Sequence, residues 1–104
     1  WCAYTAKVDG KPVTVAVFDW PKNVRHPATW FTMDQGFAYL SATLNLHKEP
    51  LKLQADRPLE LRYGVAVWDG QMESATVEKL YRLWIETACV EGAAGSRPTT
   101  PAKP

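Results

Sequence analysis

The sequence predicts a mainly β fold: an antiparallel β-sandwich, or a fragment of one, with one C-terminal α-helix. Three observations support this fold class. Apolar and polar residues alternate along several segments, as they do in half-buried strands. Asp9 and Gly10 form a two-residue hairpin signal between two such segments. From Ser74 onward the apolar residues recur about every 3.6 positions, which is typical of an amphipathic helix.

The first two predicted strands, 1–8 and 12–19, flank the hairpin signal. The second strand places its alternate residues Val13, Val15 and Val17 on one side of the sheet. Residues 20–36 contain two prolines and end in glycine, which predicts one long loop. Loops of this length are uncommon in compact domains and often functional, so this loop is the first place to look for a site.

Two further segments predict the rest of the sheet. Residues 37–46 alternate between an aliphatic face and a polar–aromatic face, and 50–53 with 59–70 predict another hairpin. In the last segment the aliphatic face consists of Leu59, Leu61, Tyr63, Val65 and Val67. We expect the aliphatic faces to form the core and the polar–aromatic faces to lie on the opposite side of the sheet.

The C-terminal part divides into a helix and a tail. Ser74 is the expected N-cap, Gly92 the expected stop, and the apolar stripe includes Leu80, Tyr81 and Trp84, which we expect to pack on the sheet. Residues 91–104 are rich in Pro, Ala and Thr without periodicity, which predicts a disordered tail. The expected organisation is therefore one β-rich domain over 1–90, followed by this tail.

Composition excludes several classes of protein. The net charge is +1 and the 12 basic residues are scattered, so we expect no nucleic-acid partner. No apolar run approaches the roughly 18 residues of a membrane span, so we expect no membrane insertion. Cys2 and Cys89 can form one disulfide or remain two free thiols, and the sequence does not decide between these alternatives. The chain starts at Trp1 as a processed chain or a fragment would; an extracytoplasmic location is favoured over a cytoplasmic one, but the compartment stays open.

The loop carries a dense motif, F-D-x-P-x-N-x-R-H-P-x-x-W. It occupies Phe18, Asp19, Pro21, Asn23, Arg25, His26, Pro27 and Trp30. With the strands that follow it, over roughly residues 1 to 87, the chain resembles the C-terminal part of an uncharacterised bacterial family, the PmoA-like proteins labelled methane oxygenase. The resemblance implies a preceding β-rich portion of the same protein and, by analogy, a sandwich of the galactose mutarotase type. Many family members carry His where this chain has Trp20 and Phe31.

Three loop residues are candidates for catalysis. His26 can act as a general acid or base near neutral pH, Arg25 can stabilise developing negative charge, and Asp19 can orient either of them. A structural interpretation uses the same residues: Arg25 pairs with Asp19, His26 bonds a backbone carbonyl, and the loop is only held in place. The sequence leaves both interpretations open.

A second group of candidates would bind a ligand. Its members combine aromatic, amide and guanidinium groups: Trp30, Asn23, Tyr39, Asn45, Arg62 and Trp68. Such a surface suits a sugar, whose faces are apolar and whose edges carry hydroxyls. Alternatively, the polar–aromatic face is covered by a second sheet or by the rest of the protein. The two cysteines and two histidines lack any recognised ligand spacing, so we expect no metal site and no cofactor.

These observations favour a β-sandwich domain that binds a carbohydrate-like or other small polyhydroxylated ligand, whether or not it is an enzyme. The rival is a non-catalytic structural or interaction module in which the loop serves as a scaffold. The resemblance implies membership in the family rather than methane oxidation, but the family label suggests a third function, that of a metal-dependent oxygenase.

Overall fold

The computed structural model describes residues 1–36 and 38–87. In chain order its elements are β1 (Cys2–Val8), β2 (Lys11–Asp19), β3 (Thr29–Met33), β4 (Tyr39–Thr43), β5 (Tyr63–Asp69) and α1 (Ser74–Thr87). The predicted fold class is confirmed over these residues: the fold is mainly β, with antiparallel sheets and one C-terminal helix. The predicted tail 91–104, Cys89 and its pairing, the helix stop at Gly92 and the start of the third predicted strand at Phe37 lie outside the described residues.

The described chain divides into two compact units. The helix unit contains residues 1–18 and 63–87, with a three-stranded sheet in the order β1-β2-β5 and the helix α1. The loop unit contains residues 19–62 and the two-stranded sheet β3-β4. The expectation of a single domain over 1–90 stays a prediction.

The predicted hairpin at Asp9 and Gly10 is confirmed. β1 and β2 are antiparallel, and Val8 pairs with Lys11 across the two-residue turn. Both turn residues have positive φ, 52° at Asp9 and 79° at Gly10. This is the type I′ conformation, which matches the twist of the two strands and which Asp-Gly adopts readily.

The core of the helix unit lies between the sheet and α1, as the apolar stripe predicts. Ala16, Phe18 and Val77 are buried at its centre, and the ring of Phe18 lies 5.5 Å from that of Tyr81 and 5.7 Å from that of Trp84. Leu80 also packs against this cluster. In the described residues no helix has the length and apolar character required to span a bilayer.

The prediction of which β5 face enters the core is wrong. Tyr63, Val65 and Val67 are 38%, 57% and 47% exposed, whereas Ala66 and Trp68 pack against the buried cluster. The size of the side chains, rather than their polarity, decides which face of β5 enters the core. A Cβ added to Gly64 would lie 2.9 Å from Trp84, so the face with the smaller residues allows the helix aromatics to approach.

The predicted long loop 20–36 is also partly wrong, because its second half is β3. This strand pairs antiparallel with β4, from Thr29 opposite Thr43 to Met33 opposite Tyr39. The segment "TWFTM" is rich in β-branched and aromatic residues, which favour a strand. The two prolines precede β3, so they do not interrupt its ladder.

The predicted hairpin of 50–53 with 59–70 does not form as a pair of strands. Only an isolated bridge joins Gln54 and Arg57, closed by a hydrogen bond from Arg57 N to Gln54 O of 3.1 Å. Leu53 and Leu59 on either side of it are 67% and 41% exposed. The Ala-Asp turn therefore forms, but the flanking leucines bury too little apolar surface to hold two strands together.

Candidate functional site

The loop unit is organised around the buried carboxylate of Asp19, the last residue of β2, which is 2% exposed. Asn23 Nδ2 donates to Oδ1 at 2.7 Å, and the backbone N of Ala28 donates to Oδ2 at 2.8 Å. His26 Nδ1 lies 2.6 Å from the same Oδ2. A buried carboxylate is tolerated when its oxygens are hydrogen-bonded, and both oxygens of Asp19 have hydrogen-bond partners. We call Asp19, Asn23, His26 and Ala28 the Asp19 network.

The imidazole of His26 is held on one side and open on the other. Its side chain remains 26% exposed while Nδ1 contacts Asp19. With Asp19 ionised, Nδ1 carries the hydrogen and Nε2 of the neutral ring is the free acceptor. Within the described ranges no protein group is hydrogen-bonded to Nε2. His26 therefore contacts a buried acid through Nδ1, while its side chain is in part exposed to solvent.

Two successive turns bring these side chains together. Asn23 N donates to Trp20 O at 2.9 Å, and His26 N donates to Asn23 O at 3.1 Å. Between them Arg25 has a φ of 63°, so the chain reverses direction sharply. The path from Trp20 to His26 thus doubles back, and Asn23 and His26 reach the same carboxylate.

Asn23 was a predicted ligand-binding residue, but its amide is used within the protein. It is 4% exposed, and besides its bond to Asp19 it pairs with the peptide of Arg62. Its Oδ1 accepts from Arg62 N at 2.8 Å, and its Nδ2 donates to Arg62 O at 2.7 Å. Asn23 thus joins the segment before β5 to the Asp19 network.

Arg25 has a structural role, but its hydrogen-bond partners differ from the predicted one. Its guanidinium donates to the backbone carbonyls of Leu44 (2.7 Å), Pro50 (3.2 Å) and Glu49. The structural interpretation expected Arg25 to pair with Asp19 and His26 to bond a carbonyl, and the two side chains have exchanged these partners. Arg25 ties 44–50 to the loop, and its fork is occupied by backbone oxygens.

Arg62 lies flat against an indole. Its guanidinium carbon is 4.5 Å from the ring centroid of Trp20, and Trp20 N donates to Arg62 O at 3.3 Å. Lys22 Nζ is 6.0 Å from the centroid of the same ring. Glu60 Oε1 is 3.9 Å from the Arg62 guanidinium and belongs to a side chain that is 75% exposed. Two cations thus share one aromatic ring next to the Asp19 network.

Trp30 and Tyr39, two further predicted ligand residues, belong to the β3-β4 sheet of the loop unit. Trp30 and Tyr39 project from opposite faces of the β3-β4 sheet, because Trp30 pairs with Ala42, and Tyr39 is three positions away from Ala42. Tyr39 packs edge-on against Phe31 at 5.7 Å.

Asn45 and Trp68 have structural positions of their own. Asn45 has a φ of 58°, and its carbonyl accepts from Lys48 N at 3.1 Å and from Glu49 N at 3.0 Å, so it shapes a turn. Trp68 belongs to the helix unit, where it packs against the core cluster.

Sequence reasoning missed one member of the site, Trp20, which it noted only as a departure from the family motif. The available signal was its position directly after Asp19 and two positions before Lys22, at the start of the predicted loop. The contact with Arg62 could not be read from the sequence, because 42 positions separate the two residues and the hairpin predicted between them does not form.

The described ranges hold no cluster of metal-ligating side chains, and two groups with a shifted pKa lie in the helix unit. Residues 1–36 and 38–87 contain no group of three or more His, Cys, Asp or Glu that could hold a metal ion. In the helix unit, burial raises the pKa of the Cys2 thiol. There, too, a hydrogen bond of 2.8 Å from the Trp1 indole lowers the pKa of Glu78, with a further contribution from Arg82.

The chain belongs to a family whose function is unknown. The model of the Family of unknown function (DUF6807) matches residues 1–82, which include both the Asp19 network and most of α1. Searches of the curated proteins and of the solved structures gave no match to the chain.

Proposed function

We propose that the domain binds a small polyhydroxylated, carbohydrate-like ligand through His26 Nε2, and that His26 exchanges a proton with a ligand hydroxyl. The observation that supports this proposal best is the contact of 2.6 Å between Nδ1 and a carboxylate that is 2% exposed, on an imidazole that stays open to solvent. A histidine with only a packing role would not need a buried acid behind it.

Asp19 and His26 have different roles in this proposal. Asp19 is a positioning residue: it fixes the ring orientation and tautomer, and it stabilises the imidazolium that forms when Nε2 takes a proton. His26 then serves as the acid or base that touches the ligand. Arg25 has no part in this scheme, because its Nη1 and Nη2 already donate to backbone carbonyls.

The test is a calorimetric titration of the full chain with neutral sugars, polyols and sugar acids. The sequence offers a matched control, since its second histidine, His47, is exposed in a turn. We expect His26→Gln to weaken binding at least about tenfold, as loss of a hydrogen bond to a charged or strongly polarised group does, and His47→Gln to leave it unchanged. Absence of heat with every compound, or equal binding by both variants, refutes the proposal.

A second function is favoured by a different observation. Asn23 and Arg25 direct their hydrogen bonds at the chain itself, which is what a non-catalytic scaffold requires. In that case His26→Gln lowers the stability of the fold, and no compound in the panel binds. Circular dichroism melts of the same two variants separate this outcome from the first.

The resemblance of the loop motif to the PmoA-like proteins stays a prediction. The oxygenase function that the family label suggests gains no support from the described residues, which contain no group of three or more His, Cys, Asp or Glu that could hold a metal ion. Metal analysis of the purified chain tests the oxygenase function directly, and a stoichiometric transition metal would support it.

A further inference from the structure

We propose that Trp20, Arg62 and Lys22 form a binding site for an oxyanion, a carboxylate or phosphate group carried by the ligand of His26. This inference rests on the proposed function, and it narrows the ligand from polyhydroxylated compounds in general to acidic ones. We call these three residues the oxyanion site.

The first support is that Arg62 is oriented before any ligand arrives. Its peptide makes hydrogen bonds on both sides, donating to Asn23 Oδ1 and accepting from Asn23 Nδ2 and Trp20 N. Its guanidinium rests on the Trp20 ring at 4.5 Å, and the side chain is 20% exposed. Much of the rotamer entropy that anion binding costs is therefore already lost in the folded chain.

The second support is charge. Two cations, Arg62 and Lys22, lie 4.5 Å and 6.0 Å from the centroid of one ring, which concentrates positive charge around this indole. Arg62 pairs with the carboxylate of Glu60 at 3.9 Å, but Glu60 is 75% exposed, and an ion pair of that length at the surface contributes little. A ligand oxyanion would supply the missing negative charge, and the fork of an arginine matches carboxylate and phosphate geometry.

The third support is position. Asn23 bonds the peptide of Arg62 and the carboxylate of Asp19 with the same amide, so one side chain connects the oxyanion site to the residue that holds His26. A small ligand with hydroxyls and one acidic group suits two sites linked in this way. A sugar acid or a sugar phosphate has that composition.

The experiment compares four probes on the full chain by calorimetry: glucose, glucuronate, glucose 6-phosphate and inorganic phosphate. We expect both acidic sugars to bind at least about tenfold more tightly than glucose, which is the contribution of one charge-assisted contact. Inorganic phosphate alone should bind weakly and shift the Arg62 side-chain resonances. Whichever acidic sugar binds more tightly distinguishes carboxylate from phosphate.

Three variants and one control test whether Arg62 causes the preference for acidic sugars. Arg62→Gln should abolish the preference for acidic sugars, and Arg62→Lys should keep part of it, because lysine retains the charge but loses the fork. Glu60→Gln should tighten acid binding, since it removes a competing carboxylate. Arg57→Gln, at an exposed arginine in a turn, should change nothing.

Two results would overturn the inference: glucose and glucuronate binding with equal affinity, or a preference that survives Arg62→Gln. A loss of acid preference in Arg62→Gln together with unchanged binding by His26→Gln would instead remove the proposed role of His26 and leave the oxyanion site standing. If none of the four probes binds or shifts a resonance, both proposals fail.

Discussion

Replacing Asp19 by asparagine removes one charge while keeping the size of the side chain, and the geometry makes the consequence calculable. The partners of the Asp19 carboxylate include the amide of Asn23, the imidazole of His26 and the backbone N–H of Ala28. An amide has one oxygen and one NH2 group. In either orientation its NH2 group must face a donor, the amide of Asn23 or the backbone N–H of Ala28.

The magnitude follows from these contacts. One buried donor left without a partner costs about 1–3 kcal/mol, and each bond that changes from charge-assisted to neutral loses about 1 kcal/mol more. We expect Asp19→Asn to lower the free energy of unfolding by about 3–5 kcal/mol, a large fraction of the roughly 5–15 kcal/mol typical of a domain.

Urea titration followed by tryptophan fluorescence measures this free energy, and five tryptophans provide the signal. Asp34→Asn is the matched control, because Asp34 is exposed, and the same chemical change there should stay within about 0.5 kcal/mol. A loss below about 1 kcal/mol in Asp19→Asn, or equal losses in the two variants, would show that the Asp19 network does not hold the loop.

Three further predictions concern other parts of the chain. Gly64→Ala should cost about 1–3 kcal/mol in urea titration, because its Cβ would lie 2.9 Å from Trp84; an unchanged midpoint would contradict the packing of α1. Because the Trp1 indole lowers the pKa of Glu78 from 4.5, the wild type should be more stable than Glu78→Gln above that pH. The difference should shrink as the pH falls through the lowered folded-state pKa, so denaturation should show a smaller difference at about pH 3 than at about pH 7. Arg25→Lys should speed amide exchange across 44–50 by about five- to thirtyfold, through loss of one or two hydrogen bonds, whereas unchanged rates would exclude the carbonyl anchor.

Local signals in the sequence were sufficient for the elements whose conformation is decided locally. The Asp9–Gly10 turn requires positive φ at both residues, and Asp-Gly is one of the few pairs that adopt it. The period of α1 selected Leu80, Tyr81 and Trp84, and these residues do pack on the core.

The face of β5 could not be predicted in the same way, because both of its faces are apolar enough to be buried. The choice depends on the helix aromatics, which need the space above Gly64. That requirement involves residues 20 positions apart in sequence, so alternation within the strand does not reveal it.

The sequence identified several residues of the site but not the contacts between them. Sequence motifs located Asp19, Arg25 and His26 in one loop, but left open which cation meets the acid. The answer depends on the positive φ of Arg25, which directs the guanidinium to the carbonyls of 44–50 and leaves the carboxylate to His26. Such a turn preference is only weakly encoded, since arginine rarely adopts this conformation.

The most direct test of the central claim, that Asp19 orients His26 and leaves Nε2 for a ligand, is a ¹⁵N spectrum of the imidazole rings with the ring neutral. We predict that Nδ1 of His26 carries the hydrogen, that Nε2 is unprotonated, and that addition of glucuronate shifts the Nε2 resonance while His47 stays unchanged. A ring of His26 that is protonated at Nε2, or an Nε2 resonance that no compound moves, would contradict it.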